Sequence, residues 1–281
     1  MSETLRVPRP DGPDLIGERW GRRGATPVVL LHAGVCDRRA WSGVAEALAD
    51  DDLDLVAYDR RGYGETPPGD DAAFTHLADL VAVLDEAGFD RAVVVGNSMG
   101  GALALDLAIS TADRVAALVL VAPAVSGMTD EDEDVKWQPD PATAALLGPL
   151  EAAEGSGDVD ERVRLELHLW LDGPAQPEGR VGGDARALAA EMNRRILEHG
   201  APEDWGDSRL DTWHRLTSID VPAIVAWGEH DLPVDHHWYE QIARRLPAAQ
   251  ERLLHGVAHL PSLEQPAMVA ALVREAVHGL R

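Results

Sequence analysis

The chain has 281 residues, 45% of them hydrophobic and 26% charged, and carries a formal net charge of −24. That length suits one large domain with an insertion. The charge excludes a surface built to hold nucleic-acid phosphates and disfavours anionic lipid. A single cysteine, Cys36, excludes an intramolecular disulfide and a cysteine-based zinc site, and no apolar run is long enough to predict a transmembrane helix.

Met1–Pro10 lacks the apolar core of a signal peptide, so a cytoplasmic location is expected. Weak alternation over Thr4–Val7 and Leu15–Trp20, parted by Pro8, Pro10, Gly12 and Pro13, predicts an N-terminal hairpin. Val28–His32 predicts a strand that ends in a loop, Ala33 to Arg39, and Trp41–Leu48 predicts a helix. Leu53–Tyr58 is the next predicted strand. The glycine-rich loop Asp59–Thr66 follows, and then an amphipathic helix over Phe74–Leu84. The apolar run before Gly96 and the stretch Arg114–Val121 predict two buried strands, with a helix between them. The rhythm breaks after Pro123. From 124 to 217 no strand is expected; this part carries the acidic run Asp130–Asp134, a flexible Glu154–Asp158, and helical stretches Val159–Leu171 and Ala185–His199. Strand Pro222–Trp227, helix Val234–Leu246, strand Gln250–Leu254 and helix Ser262–His278 complete the chain. The expected fold is α/β, a mostly parallel central sheet with helices on both faces. Its core comprises 1–123 and 218–281, and a helical cap, 124–217, is inserted after the sixth strand.

Val93 to Gly101 reads Val-Val-Val-Gly-Asn-Ser-Met-Gly-Gly. A strand, a sharp turn carrying Ser98 and a helix make a nucleophile elbow, in which glycines leave room for a strained serine. A serine hydroxyl needs a base, and the base needs an orienting carboxylate. Asp231 follows the strand at Ile224, with Glu229 and His230 as rivals, and His259 lies in the loop after the next strand, with His255 as its rival. Serine, acid and histidine thus fall at three strand ends, in that order. The oxyanion hole is expected to combine the Met99 amide with one from the loop after the third strand. In the cap, Trp137, Trp170, Trp205 and Trp213 offer apolar faces to a substrate, or else fill the cap's own core.

With these residues the chain resembles the α/β-hydrolase superfamily over nearly its full length, and most closely small bacterial carboxylesterase-like members. In those, a His-Gly-X loop donates its N–H at X and a Trp follows seven residues beyond. Matching His32 and Trp41 implies Gly34 as the donor, with Val35 second. Ala33 replaces the usual glycine, and Gly34 stands where a bulky residue is common, which implies an enlarged acyl site. His32 is expected to hold the loop, and Cys36 to pack beside it. Asp59–Thr66 is similar to the family's D-x-R-G-x-G-x-S segment and reads as structural. Gly256–Pro266 is similar to the histidine loop and the helix after it.

The resemblance implies a serine hydrolase that cleaves a small to medium uncharged carboxylic ester through an acyl-enzyme. No metal, cofactor, nucleic acid or membrane partner is expected. A carbon–carbon hydrolase of the meta-cleavage type, a cofactor-free haloperoxidase or perhydrolase, and a non-catalytic ligand-binding relative are the alternatives. Serine at position 98 disfavours an Asp-nucleophile dehalogenase or epoxide hydrolase.

Overall fold

The predicted strands pair into one eight-stranded sheet in the computed structural model, which describes residues 2–10, 12–69, 74–128, 138–199 and 210–280. Its strands are β1 (Glu3–Val7), β2 (Leu15–Gly21), β3 (Thr26–Leu31), β4 (Leu53–Tyr58), β5 (Ala92–Asn97), β6 (Val115–Val121), β7 (Ala223–Gly228) and β8 (Ala249–Leu254), in spatial order β1-β2-β4-β3-β5-β6-β7-β8. The expected hairpin is present, with Leu5 opposite Gly17. β2 is also antiparallel to β4, and every later pairing is parallel.

Strands covered on both faces are near-continuous apolar runs, and β4 to β7 are buried throughout, the polar Asp54 being paired with Arg19. Successive side chains go to opposite faces. Val94 joins one core with Leu105, Leu118 and Ile242, whereas Val93 and Val95 join the other with Trp41, Val119 and Val273. The first face is covered by α2 (His76–Ala87), α3 (Met99–Ser110) and α7 (Pro233–Arg245), the second by α1 (Ser42–Ala47) and, nearer the C-terminus, Pro266–His278.

Between β6 and β7 the described chain is helical, with α4 (Pro141–Ser156), α5 (Val159–Leu167) and α6 (Gly183–His199). The sequence pattern missed α4 and read its end as flexible. Asp140 starts it by accepting from the Ala142 and Thr143 amides, and Gly157, at φ 70°, stops it. Asp158 then caps α5, which runs on as a π-helical turn to Asp172. The last expected helix is two, α8 (Pro261–Glu264) and α9 (Pro266–His278). Pro266 cannot donate an amide and keeps Gln265 out of the helical region, at φ −143° and ψ 73°. Among the described residues, no helix is long and apolar enough to cross a membrane.

Candidate active site

Ser98 sits between β5 and α3 at φ 54° and ψ −117°, a conformation that costs a non-glycine residue on the order of 1–3 kcal/mol. The surroundings hold it there. Its N–H donates to Val121 O at 2.9 Å, and its carbonyl accepts from Gly101 at 2.8 Å and Ala124 at 3.0 Å. The glycines beside it answer to close approach. A Cβ on Gly96 would lie 2.2 Å from Gly100 O, and one on Gly100 would lie 2.2 Å from Leu31 O.

Asp231 follows β7 and is buried. Its Oδ2 lies 2.9 Å from His259 Nδ1, and because an ionised carboxylate only accepts, the imidazole donates. The Leu232 amide donates to Oδ1 at 2.8 Å, and the Tyr239 hydroxyl to Oδ2 at 3.0 Å. Tyr239 escaped the sequence reading, although it lies on the helix that begins just after Asp231. The rivals go elsewhere. Glu229 is exposed and accepts from the Gly256 amide at 3.0 Å, with the exposed His255 3.4 Å away. Burial alone would lower the His259 pKa. The Asp231 charge and hydrogen bond, with Asp235 and Glu264 further away, outweigh it and raise the value above the usual 6.5.

Three further groups fix the histidine loop. Asn97, next to the serine, donates through Nδ2 to Val121 O at 3.0 Å and to His259 O at 3.1 Å. The His259 amide donates to Trp170 O at 3.2 Å, and the two rings lie 4.7 Å apart. Arg180 donates to the carbonyls of Leu171 (2.8 Å), Asp172 (2.6 Å) and Gly256 (3.0 Å), and to Glu264, which itself accepts from the Ala258 amide at 2.8 Å.

Ser98, Met99, His259, Ala33, Gly34 and Val35 line one cavity of about 790 Å³. None of the described hydrogen bonds occupies His259 Nε2 or the Ser98 hydroxyl. Such pairs are commonly long before substrate arrives and tighten with it. Met99 opens α3, so its amide has no partner within the helix. The described hydrogen bonds leave the Gly34 and Val35 amides unused as well, while the Cys36 amide turns back to Ala33 O at 3.3 Å. Gly34 does not enlarge the cavity as its lack of a side chain suggested. A Cβ there would lie 2.4 Å from Met99 Sδ, so the thioether fills that space.

His32 is buried, with Nδ1 2.8 Å from Ala33 O and Nε2 3.2 Å from the Arg60 amide. Burial, and then the Arg60 charge, push its pKa well below 6.5, so it stays neutral and ties the loop. Cys36 is buried among Ala33, Ala40 and Val163, and desolvation raises its thiol pKa, which keeps it protonated. Asp59 accepts from the Arg38 amide and from the Glu65 amide, both at 2.8 Å, and Thr66 Oγ1 accepts from Ile16 at 2.9 Å. The Asp59–Thr66 loop therefore braces β2 and the segment after β3.

Of the four tryptophans expected in the insertion, Trp170 lines the cavity. Trp213 does not: it is 2% exposed, packed edge-on to Trp238 at 6.3 Å, with the Arg245 guanidinium 3.9 Å from its ring centroid. Its large apolar face is spent on the core beside α7. Trp213→Ala should cost about 3–5 kcal/mol in a denaturant melt with KM unchanged; a raised KM at unchanged stability would return it to the substrate. Trp137 and Trp205 lie outside the described residues.

The family model for the alpha/beta hydrolase fold matches residues 26–266. The chain is 30% identical to a pimeloyl-(acyl-carrier protein) methyl ester esterase of Neisseria meningitidis, over 90% of this chain and 93% of that protein. It is 34% identical to lipase LipV of Mycobacterium tuberculosis, over 93% and 97%. Among solved structures, esterase RhEst1 from Rhodococcus sp. ECU1013 shares the fold at a TM-score of 0.76 and 24% identity, covering 99% of both chains. Sheet order, elbow and family match agree: the chain is a hydrolytic enzyme and belongs to the alpha/beta hydrolase fold family.

Proposed function

We propose that this chain is a carboxylesterase in which Ser98 is the nucleophile, His259 the base and Asp231 the acid that orients it. The observation that carries the reading is the 2.9 Å bond from His259 to a buried carboxylate, in the cavity that also holds a serine on a strained turn. Ser98 Oγ attacks the ester carbonyl carbon while its proton passes to His259 Nε2. Negative charge collects on the carbonyl oxygen, where the Met99 amide and that of Gly34, or else Val35, meet it. The alcohol leaves with the proton from Nε2, and water, deprotonated by the same nitrogen, releases the acid.

Helices α4 to α6 act as a cap on the site. Leu147, Leu150, Leu169 and Ile196 give the cavity an apolar wall, which suits the uncharged part of a small to medium ester. The esterase and lipase relatives favour this reading over carbon–carbon cleavage or perhydrolysis.

A fluorophosphonate probe should label Ser98, and nitrophenyl acetate to octanoate should be turned over steadily. Labelling without turnover would leave a binding protein, and dienone cleavage without ester hydrolysis would favour the carbon–carbon reaction. The base works only when neutral, so kcat/KM should rise with pH through the His259 pKa. Because that value is raised, the half-maximal point should lie above 6.5. A half-maximal point well below 6.5 would assign the limb to another group.

A further inference from the structure

The cavity has a second lining, on its cap side, that the ester chemistry leaves unused. Arg162 and Glu166 stand one turn apart on α5, joined through Arg162 Nε at 2.7 Å, and Arg162 Nη1 lies 3.1 Å from Glu154 of α4. Asn193 of α6 donates through Nδ2 to the other Glu166 oxygen at 2.7 Å. All four residues line the cavity. Asn193 is 1% exposed, and its Oδ1 has no hydrogen-bond partner. The carboxylate fixes this orientation, since turning the amide over would set its oxygen against Glu166. An acceptor left unpaired on a residue of the cavity wall is costly until a donor reaches it.

We propose that Asn193 and Arg162 form a polar subsite for a neutral hydrogen-bonding group, a hydroxyl or secondary amide, borne by the substrate at a distance from the ester. This rests on the esterase reading. The group's O–H or N–H is the donor that Asn193 Oδ1 lacks, and its oxygen is an acceptor for the guanidinium, whose side chain is 30% exposed. The local charge decides the ligand class. One cation, Arg162, stands among three carboxylates, Glu151, Glu154 and Glu166, two of which already engage it. A carboxylate on the substrate would meet net repulsion here, and a plain alkyl chain would leave the acceptor unpaired.

The test uses methyl esters of one length followed by pH-stat: octanoate, the hydroxyoctanoates with the hydroxyl at positions 3 to 8, an amide-bearing analogue, and the half-ester of the eight-carbon diacid. At least one hydroxyl or amide position should exceed octanoate about tenfold in kcat/KM, and the half-ester should fall below octanoate. In Asn193→Leu the ratio of the preferred ester to octanoate should drop to about 1, and Arg162→Met should lower it in the same direction. Should Asn193→Leu not fold, Arg162→Met and the wild-type ratios still decide. Wild type that hydrolyses octanoate with no preferred polar analogue overturns the subsite alone, as does a preference that survives both substitutions. Wild type inactive on every ester and unlabelled by fluorophosphonate overturns the esterase reading, and the subsite with it.

Discussion

Ser98→Ala should lower kcat on nitrophenyl butyrate by about 10⁶-fold, to within 10³–10⁴ of the uncatalysed rate in buffer. The size follows from the proposed work of one oxygen: without it no acyl-enzyme would form, and what would be left is binding plus the proposed oxyanion donors. The protein should stay folded. Alanine fits the space, and the hydrogen bonds that fix the turn use the backbone N–H and carbonyl of residue 98, not its side chain. Its melting curve should therefore lie close to that of wild type, and fluorophosphonate labelling should vanish. A variant that keeps a hundredth of the activity would move the nucleophile elsewhere.

Asp231→Asn should cost about 10⁴ in kcat with little change in KM. An amide in place of the carboxylate would turn an N–H or a neutral oxygen towards His259 Nδ1. The ring then loses both its orientation and the charge that stabilises its protonated form. The buried Tyr239 hydroxyl, which now donates to the same carboxylate, gives a graded companion. Tyr239→Phe removes one donor but keeps the negative charge, so its loss should be far smaller. Because the Tyr239 bond stabilises the carboxylate, removing it leaves Asp231 a stronger partner for the imidazolium. The acid limb of the pH profile should move up in that variant, while Asp231→Asn should move it down. Equal losses in the two variants would mean that packing around the pair, rather than the carboxylate's charge, governs the rate.

The placement of the candidate triad was legible because each member follows the end of a strand. β-branched runs before Ser98 and Asp231 announce strands, and the glycines at 96, 100 and 101 announce a turn too tight for side chains. What surrounds the constellation was less so. Asn97 is adjacent to the serine, yet nothing in its identity says that its amide spans β6 and the histidine loop. α4 was hidden by an alanine-rich run with an internal Pro149 and by a glycine–serine stretch that looks like a linker; its start is marked by Asp140 and Pro141 rather than by periodicity. Trp213 shows the limit of composition. An aromatic in the insertion offers the same apolar face to a ligand or to a core, and only the position of Trp238 and Arg245 decides. Likewise the gap expected beside Gly34 is filled by Met99, a contact between residues distant in sequence.

The bonds of Arg180 and of the Trp170 carbonyl fasten the stretch between α5 and α6 to the very loop that carries His259. Were helices α4 to α6 to lift as one body, they would pull His259, the proposed base, from its place at each opening. Entry and exit are therefore expected to proceed without such a hinge. Pinning α6 to the sheet-bearing core by a cross-link should slow bulky esters no more than small ones.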